Sequence, residues 1–178
     1  VFAMMPKLLE RAGKLERGSI TGLYTVLVDQ DDMDEPIADA MRSILDGHIV
    51  LSRRLASMNH YPAIDVLPSI SRVMTDVVPR EHRMKSQAVL ETLAVYREAE
   101  DLINIGAYQP GSNPRIDRAI RVIDAVNGFL RQDIHEHTGW EMTLEQLDQL
   151  FGKIQATAQP AVEAQAQSAG AARAYRTS

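Results

Sequence analysis

The chain has 178 residues, 45% of them hydrophobic and 24% charged, with a formal net charge of -5 from Lys+Arg 19 against Asp+Glu 24. Such a composition folds as one globular unit or two lobes, and it argues against a protein built to coat nucleic acid or an anionic membrane. With no cysteine, disulfide scaffolds, thiolate metal sites, iron–sulfur clusters and a cysteine nucleophile are excluded, and the cytoplasm is the default compartment. The longest apolar stretch, residues 20–28, is about half of what a membrane-spanning helix needs, and the opening Val1-Phe2-Ala3-Met4-Met5-Pro6 lacks the regions of a signal peptide. Starting on Val1 and an apolar run, the chain reads as a piece of a longer protein.

In chain order, residues 1–11 place Met4, Met5, Leu8 and Leu9 on one side of a short helix that ends before Gly13. Residues 18–28 are β-branched and aromatic with almost no polar face, which predicts a central strand covered on both sides in a parallel sheet. That strand leads into Asp29-Gln30-Asp31-Asp32-Met33-Asp34-Glu35-Pro36, an acidic loop that no helix or strand period explains. Ile37, Met41, Ile44 and Leu45 predict a helix. Asp46-Gly47 stops it before a short apolar run, His48-Ile49-Val50-Leu51, and a brief helix over residues 52–58 leads to Tyr61-Pro62. Beyond Pro79 the period changes. Residues 81–104 carry Val89, Leu93, Tyr96 and Ile103 on one stripe, and residues 114–131 carry Ile116, Ile120, Ile123 and Leu130. Residues 143–155 add Leu144, Leu147, Leu150 and Ile154, with Thr143 and Gln146 in the relation of a capping box. From Gln159 the chain is Ala, Gln and Ser without a periodic apolar face, which predicts an unstructured tail. The expected organisation is an α/β region over residues 1–79, a helical domain over 80–157 and a tail over 158–178.

Few motifs carry chemistry on their own. His135 and His137 are two apart with no third ligand near, which is poor spacing for a metal on a helix. No Gly-x-Ser-x-Gly elbow and no phosphate-binding Gly-x-x-x-x-Gly-Lys-Ser/Thr loop occurs, so a nucleotide would be served only from the side. Arg72 taken alone reads as a surface Arg paired with Asp65 or Asp76, Tyr61 as an aromatic packed at a turn, and the acidic run as a solvated loop.

Read together, the segments resemble a family. Gly18-Ser19-Ile20-Thr21, the Asp31 to Pro36 loop, Asp46-Gly47-His48-Ile49-Val50-Leu51-Ser52-Arg53, Tyr61-Pro62-Ala63-Ile64-Asp65, Ser71-Arg72-Val73-Met74, Ile105-Gly106-Ala107-Tyr108, Gly111-Ser112-Asn113-Pro114 and Phe129-Leu130-Arg131-Gln132 stand in an order similar to the rotary ATP synthase catalytic subunit. They look more closely like the flagellar and type III secretion export ATPase. The resemblance covers about residues 1–132. It implies the end of a RecA-like P-loop ATPase domain, a parallel sheet with helices, followed by a C-terminal helical bundle. ATP and Mg²⁺ would be the cofactors, with the phosphate loop, the metal ligands and the catalytic Glu upstream of Val1.

On this resemblance Arg72 falls on the arginine finger, which reaches the triphosphate held by a neighbouring subunit, and Tyr61 on the aromatic that stacks on the adenine of the chain's own nucleotide. Asp31, Asp32, Asp34 and Glu35 fall on the loop facing the central stalk. His137 and Trp140 stand where further adenine contacts would lie, in a stretch that departs from the family's pattern. The implied assembly is a homohexamer, cytoplasmic and peripheral at the inner face of the membrane. Its implied partners are the stalk protein, a stator-like regulator, the export gate and cargo–chaperone complexes, with no nucleic acid. Residues 81–154 would be the face presented to them. A non-catalytic helical docking module, or a subunit of another rotary ATPase, stands as the alternative.

Overall fold

The computed structural model describes residues 4–28 and 35–158. Within them the order is α1 (Met5–Leu9), β1 (Gly13–Lys14), β2 (Ser19–Ile20), α2 (Pro36–Ile44), β3 (Gly47–Leu51), α3 (Arg53–Ser57), β4 (Ile64–Ser71), α4 (Met74–Val77), α5 (Arg80–Asn104), α6 (Pro114–Leu130) and α7 (Trp140–Ala156). Contacts gather into two compact units, Val1–Ile49 with Ser69–Val73, and Val50–Pro68 with Met74–Ser178.

In the first unit α1 packs on α2, burying Leu9, Ala38 and Met41. Strands β1 and β2 pair antiparallel, Gly13 opposite Ile20 and Lys14 opposite Ser19. The central strand expected over residues 18–28 is not formed. Pairing stops at Ile20, and Leu23 and Leu27 are 94% and 90% exposed. A strand apolar on both faces needs a covering layer on each, and the described residues supply neither. The described strands form two two-stranded sheets, β1 with β2 and β3 with β4. Gly47 at the start of β3 is fixed by crowding, since a Cβ there would meet the Ile70 carbonyl oxygen at 2.6 Å.

The second unit owes its stability to a three-helix core. Val89 of α5, Val126 of α6, and Leu147 and Leu150 of α7 form one buried cluster, with Leu93, Phe129 and Ile154 packed against it. Fully burying one such aliphatic side chain contributes about 1.5–3 kcal/mol. Helices α5 and α6 lie within a residue of their predicted bounds because each has a long apolar stripe and clear ends. At the C-terminus of α5 the Ala107 N–H donates to the Leu102 carbonyl at 2.9 Å and the Gly106 N–H to the Ile103 carbonyl at 3.1 Å, with Gly106 at φ 71°. This left-handed closure satisfies two orphan carbonyls and favours glycine. Asn113 then caps α6, its Oδ1 accepting from the Arg115 N–H at 2.9 Å, and Pro114 opens the helix.

Helix α7 corrects one expectation. It begins at Trp140 with Gly139 as N-cap, so Thr143 lies inside the first turn and its hydroxyl donates back to the Gly139 carbonyl at 3.0 Å. A side chain so engaged forms no capping box. Lys85 of α5 bonds Glu81 on its own helix at 2.6 Å and joins α5 to α7 through Asp148 at 2.5 Å. Its pKa is raised, first by the hydrogen bond to Asp148 and then by that to Glu81.

Candidate functional site

Tyr61 sits on a loop that is closed at its base. The Ser52 N–H donates to the Ala63 carbonyl at 2.9 Å, and the Ser52 hydroxyl accepts from the Leu55 N–H at 3.3 Å, capping α3. Beyond α3, Asn59 adopts φ 56°, a left-handed turn that Asn tolerates better than most residues. The His60 N–H then returns to the Leu55 carbonyl at 2.9 Å. In this loop His60 is 5% exposed and Tyr61 53% exposed. Burial, and secondarily the Arg131 charge, lower the His60 pKa. The Tyr61–Pro62 bond is cis.

The segment around this loop is attached to the helices at three points. The Gln132 N–H, just past α6, donates to the Tyr61 carbonyl at 2.9 Å. Arg97 of α5 donates from one nitrogen to both Asp65 oxygens, at 3.1 and 3.0 Å. Arg54 of α3 pairs with Glu100 of α5, whose hydrogen bond and charge raise the Arg54 pKa. A cavity of about 530 Å³ opens beside Pro62 and is lined by Phe129, Arg131, Gln132, Gln146 and Lys153 among others.

Arg72 follows the last residue of β4. Its N–H donates to the Asp46 carbonyl at 2.8 Å, so its main chain is pinned. Its exposed guanidinium donates to the Arg42 carbonyl at 2.9 Å, one of the carbonyls left open at the C-terminus of α2. Neither carboxylate read from sequence as a surface partner is paired with it. Asp65 takes Arg97, and Asp76 accepts from the Thr75 hydroxyl at 3.4 Å. One carbonyl bond leaves most of the five guanidinium donors open. Tyr61 and Arg72 belong to different compact units.

Of the acidic loop, Asp31, Asp32 and Asp34 lie outside the described residues. Glu35 is the N-cap residue of α2 and makes no side-chain cap bond. His135 and His137 are exposed; the His135 N–H donates to Asp133 Oδ1 at 2.9 Å. Among the described residues no group of three or more His, Asp or Glu is placed to hold a metal ion. Trp140 stacks on His82, ring centroids 5.9 Å apart and planes at 21°. Sequence reasoning misses Arg54, Asp65, Arg97, Glu100 and Gln132. Only the spacing of Arg97 and Glu100, three apart on one helix face, is visible without a structure.

Comparison with known proteins decides the lineage. Residues 1–71 match the model of the ATP synthase alpha/beta family nucleotide-binding domain, and residues 78–149 match that of the T3SS EscN ATPase C-terminal domain. The chain belongs to the flagellar and type III secretion export ATPase family. Within that family it is 49% identical over 154 residues to a type 3 secretion system ATPase of Pseudomonas syringae pv. syringae, covering 86% of this chain and 34% of the relative. It is 52% identical over 152 residues to the flagellum-specific ATP synthase of Treponema pallidum, covering 85% of this chain and 34% of the relative. Among solved structures it resembles the assembled ATPase EscN of the enteropathogenic E. coli type III secretion system, with TM-score 0.80 and 45% identity over 84% of this chain and 36% of that one. EscN in complex with its central stalk EscO gives TM-score 0.75 at 45% identity, over 84% of this chain and 35% of that one. The chain thus spans about a third of the length of these export ATPases. Its fold is the end of a RecA-like ATPase domain followed by a helical C-terminal region. No described helix is long and apolar enough to cross a membrane.

Proposed function

We propose that this chain is the part of an export ATPase that completes a neighbouring subunit's ATP site and holds the adenine of its own. Residues 1–79 belong to the nucleotide-binding domain and 80–157 to the helical domain. The single observation that carries the reading is Arg72, pinned by its main chain at the end of β4, with an exposed guanidinium engaged by one carbonyl. Placed on the γ-phosphate of the next subunit, that cation offsets charge as it spreads over the transferring group, an effect of about 10³–10⁵ in rate. The planar fork can bridge two phosphate oxygens, which lysine cannot.

The half-exposed Tyr61 ring fits a purine face, and stacking gives affinity with little discrimination among purines. Mg²⁺ would neutralise the β- and γ-phosphate oxygens; the described residues offer it no ligand cluster, and its ligands are assigned upstream. One residue facing the chain's own nucleotide and another facing the neighbour's require a closed head-to-tail ring, a homohexamer. The carboxylates Asp31, Asp32, Asp34 and Glu35 suit a basic stalk, a reading supported by a relative solved with its central stalk. Export gate, cargo–chaperone complexes and a stator-like regulator would meet the helical domain, from the cytoplasmic side of the membrane.

The test uses the intact ATPase. Arg72→Ala should lower turnover by about 10³–10⁵ while nucleotide binding persists. Mixing Arg72→Ala subunits with subunits lacking the phosphate-loop lysine should restore a fraction of activity, because sound phosphate loops then meet sound fingers. Equal loss of binding and turnover, or no recovery on mixing, overturns the proposal.

A further inference from the structure

The segment that carries Tyr61 lies before the sequence break at Pro79, yet Val50–Pro68 forms one compact unit with the helices. Its attachment has a crossed-charge pattern. On α5, Arg97 and Glu100 are three apart and share a face. Across from them the charges are opposite: Asp65 of β4 accepts from Arg97, and Arg54 of α3 donates to Glu100. Both carboxylates are largely withdrawn from water, with side chains 16% and 18% exposed. An ion pair with one desolvated partner is screened less than an exposed one and is costly to leave half made.

Arg54 lies seven positions before Tyr61 and Asp65 four after it, so the two pairs grip the loop on either side of the ring. Asp65 is oriented in turn, since its Oδ1 also accepts from the Leu67 N–H at 3.3 Å. The Gln132 N–H holds the Tyr61 carbonyl itself at 2.9 Å. Three attachments bracketing one exposed ring restrict where that ring can stand, which matters most for a contact made through a flat face.

We infer that Arg97 and Glu100 are positioning residues for adenine: through Asp65 and Arg54 they make α5 set the placement of the Tyr61 ring, and hence the affinity for the base of the nucleotide. This rests on the stacking reading of Tyr61. It makes α5 a second handle on nucleotide affinity, one that whatever docks on the helices can reach without touching the phosphate site.

The experiment uses the intact ATPase with Arg97→Ala and Glu100→Gln, singly and together, and measures kcat and KM for ATP and affinity for both ATP and inorganic tripolyphosphate. The expected result is a rise of about three- to tenfold in KM for ATP, lying in KM more than in kcat, with affinity for tripolyphosphate unchanged. In a Tyr61→Ala background the same substitutions should add no further loss. Asp65→Arg combined with Arg97→Asp should recover part of the ATP affinity that either change alone removes. Equal weakening of ATP and tripolyphosphate, or losses that add fully in the Tyr61→Ala background, overturns the inference in favour of a general structural role. If Tyr61→Ala lowers ATP affinity while Arg97→Ala and Glu100→Gln do not, the clamp alone is wrong. If Tyr61→Ala itself leaves ATP affinity unchanged, the stacking reading is wrong and the inference with it.

Discussion

Leu147 and Leu150 are almost dry, whereas Leu23 and Leu27, in a stretch at least as apolar, stand nearly fully in solvent. The first pair sits on α7 and meets Val89 and Val126, partners that the same helical period places on the facing stripes of α5 and α6. The second pair lies in a segment meant for two covering layers, neither of which is among the described residues. An amphipathic helix declares one partner face, and three such helices in one stretch of chain can satisfy each other. A strand apolar on both sides declares a need for neighbours without saying where they are.

The sharpest way to break that contrast is Leu150→Ala. Loss of a buried leucine in a packed core costs about 2–5 kcal/mol, whereas Leu23→Ala in the same chain should change stability by no more than about 0.5 kcal/mol. Thermal or urea melts of the two variants measure both, and comparable costs would mean that residues 21–28 are covered after all. A smaller effect is expected from Gly106→Ala, which forces a Cβ into the left-handed turn at φ 71° and should cost about 1 kcal/mol. Open space around that position leaves the backbone as the sole cause, so Gly106→Asn should recover part of the loss in the same melts.

The mildest test is pH. Burial and Arg131 lower the pKa of His60 below the ordinary value, which is about 6.5. The unfolded chain therefore takes up the proton first, and stability should be full above about pH 6.5 and decline as pH falls toward the folded-state pKa. In His60→Gln that part of the pH dependence should disappear from melts recorded between about pH 7.5 and 5.5; an unchanged slope would place His60 in water.

How much could be read in advance follows the same division. Arg80–Asn104 and Pro114–Leu130 were legible because each carries a long apolar stripe of its own. The start of α7 was less so: Thr143 offers a plausible cap, yet Trp140 gains a stacking partner in His82 by joining the helix earlier. Strand β4 carries Pro68 within its bounds, a residue that argues against a strand in any window. Arg72 and Tyr61 were singled out by resemblance, since neither stands out by spacing. Arg97 with Asp65 and Glu100 with Arg54 are separated by 32 and 46 positions, and no local period connects charges that far apart.

Trp140 is the one tryptophan of the chain, and it rests on His82 where α7 and α5 begin. The molecule thus carries its own optical gauge at that junction. Should any event pry these two helix ends apart, indole emission from this position would shift in colour and intensity, and the event could be followed in real time without attaching a dye.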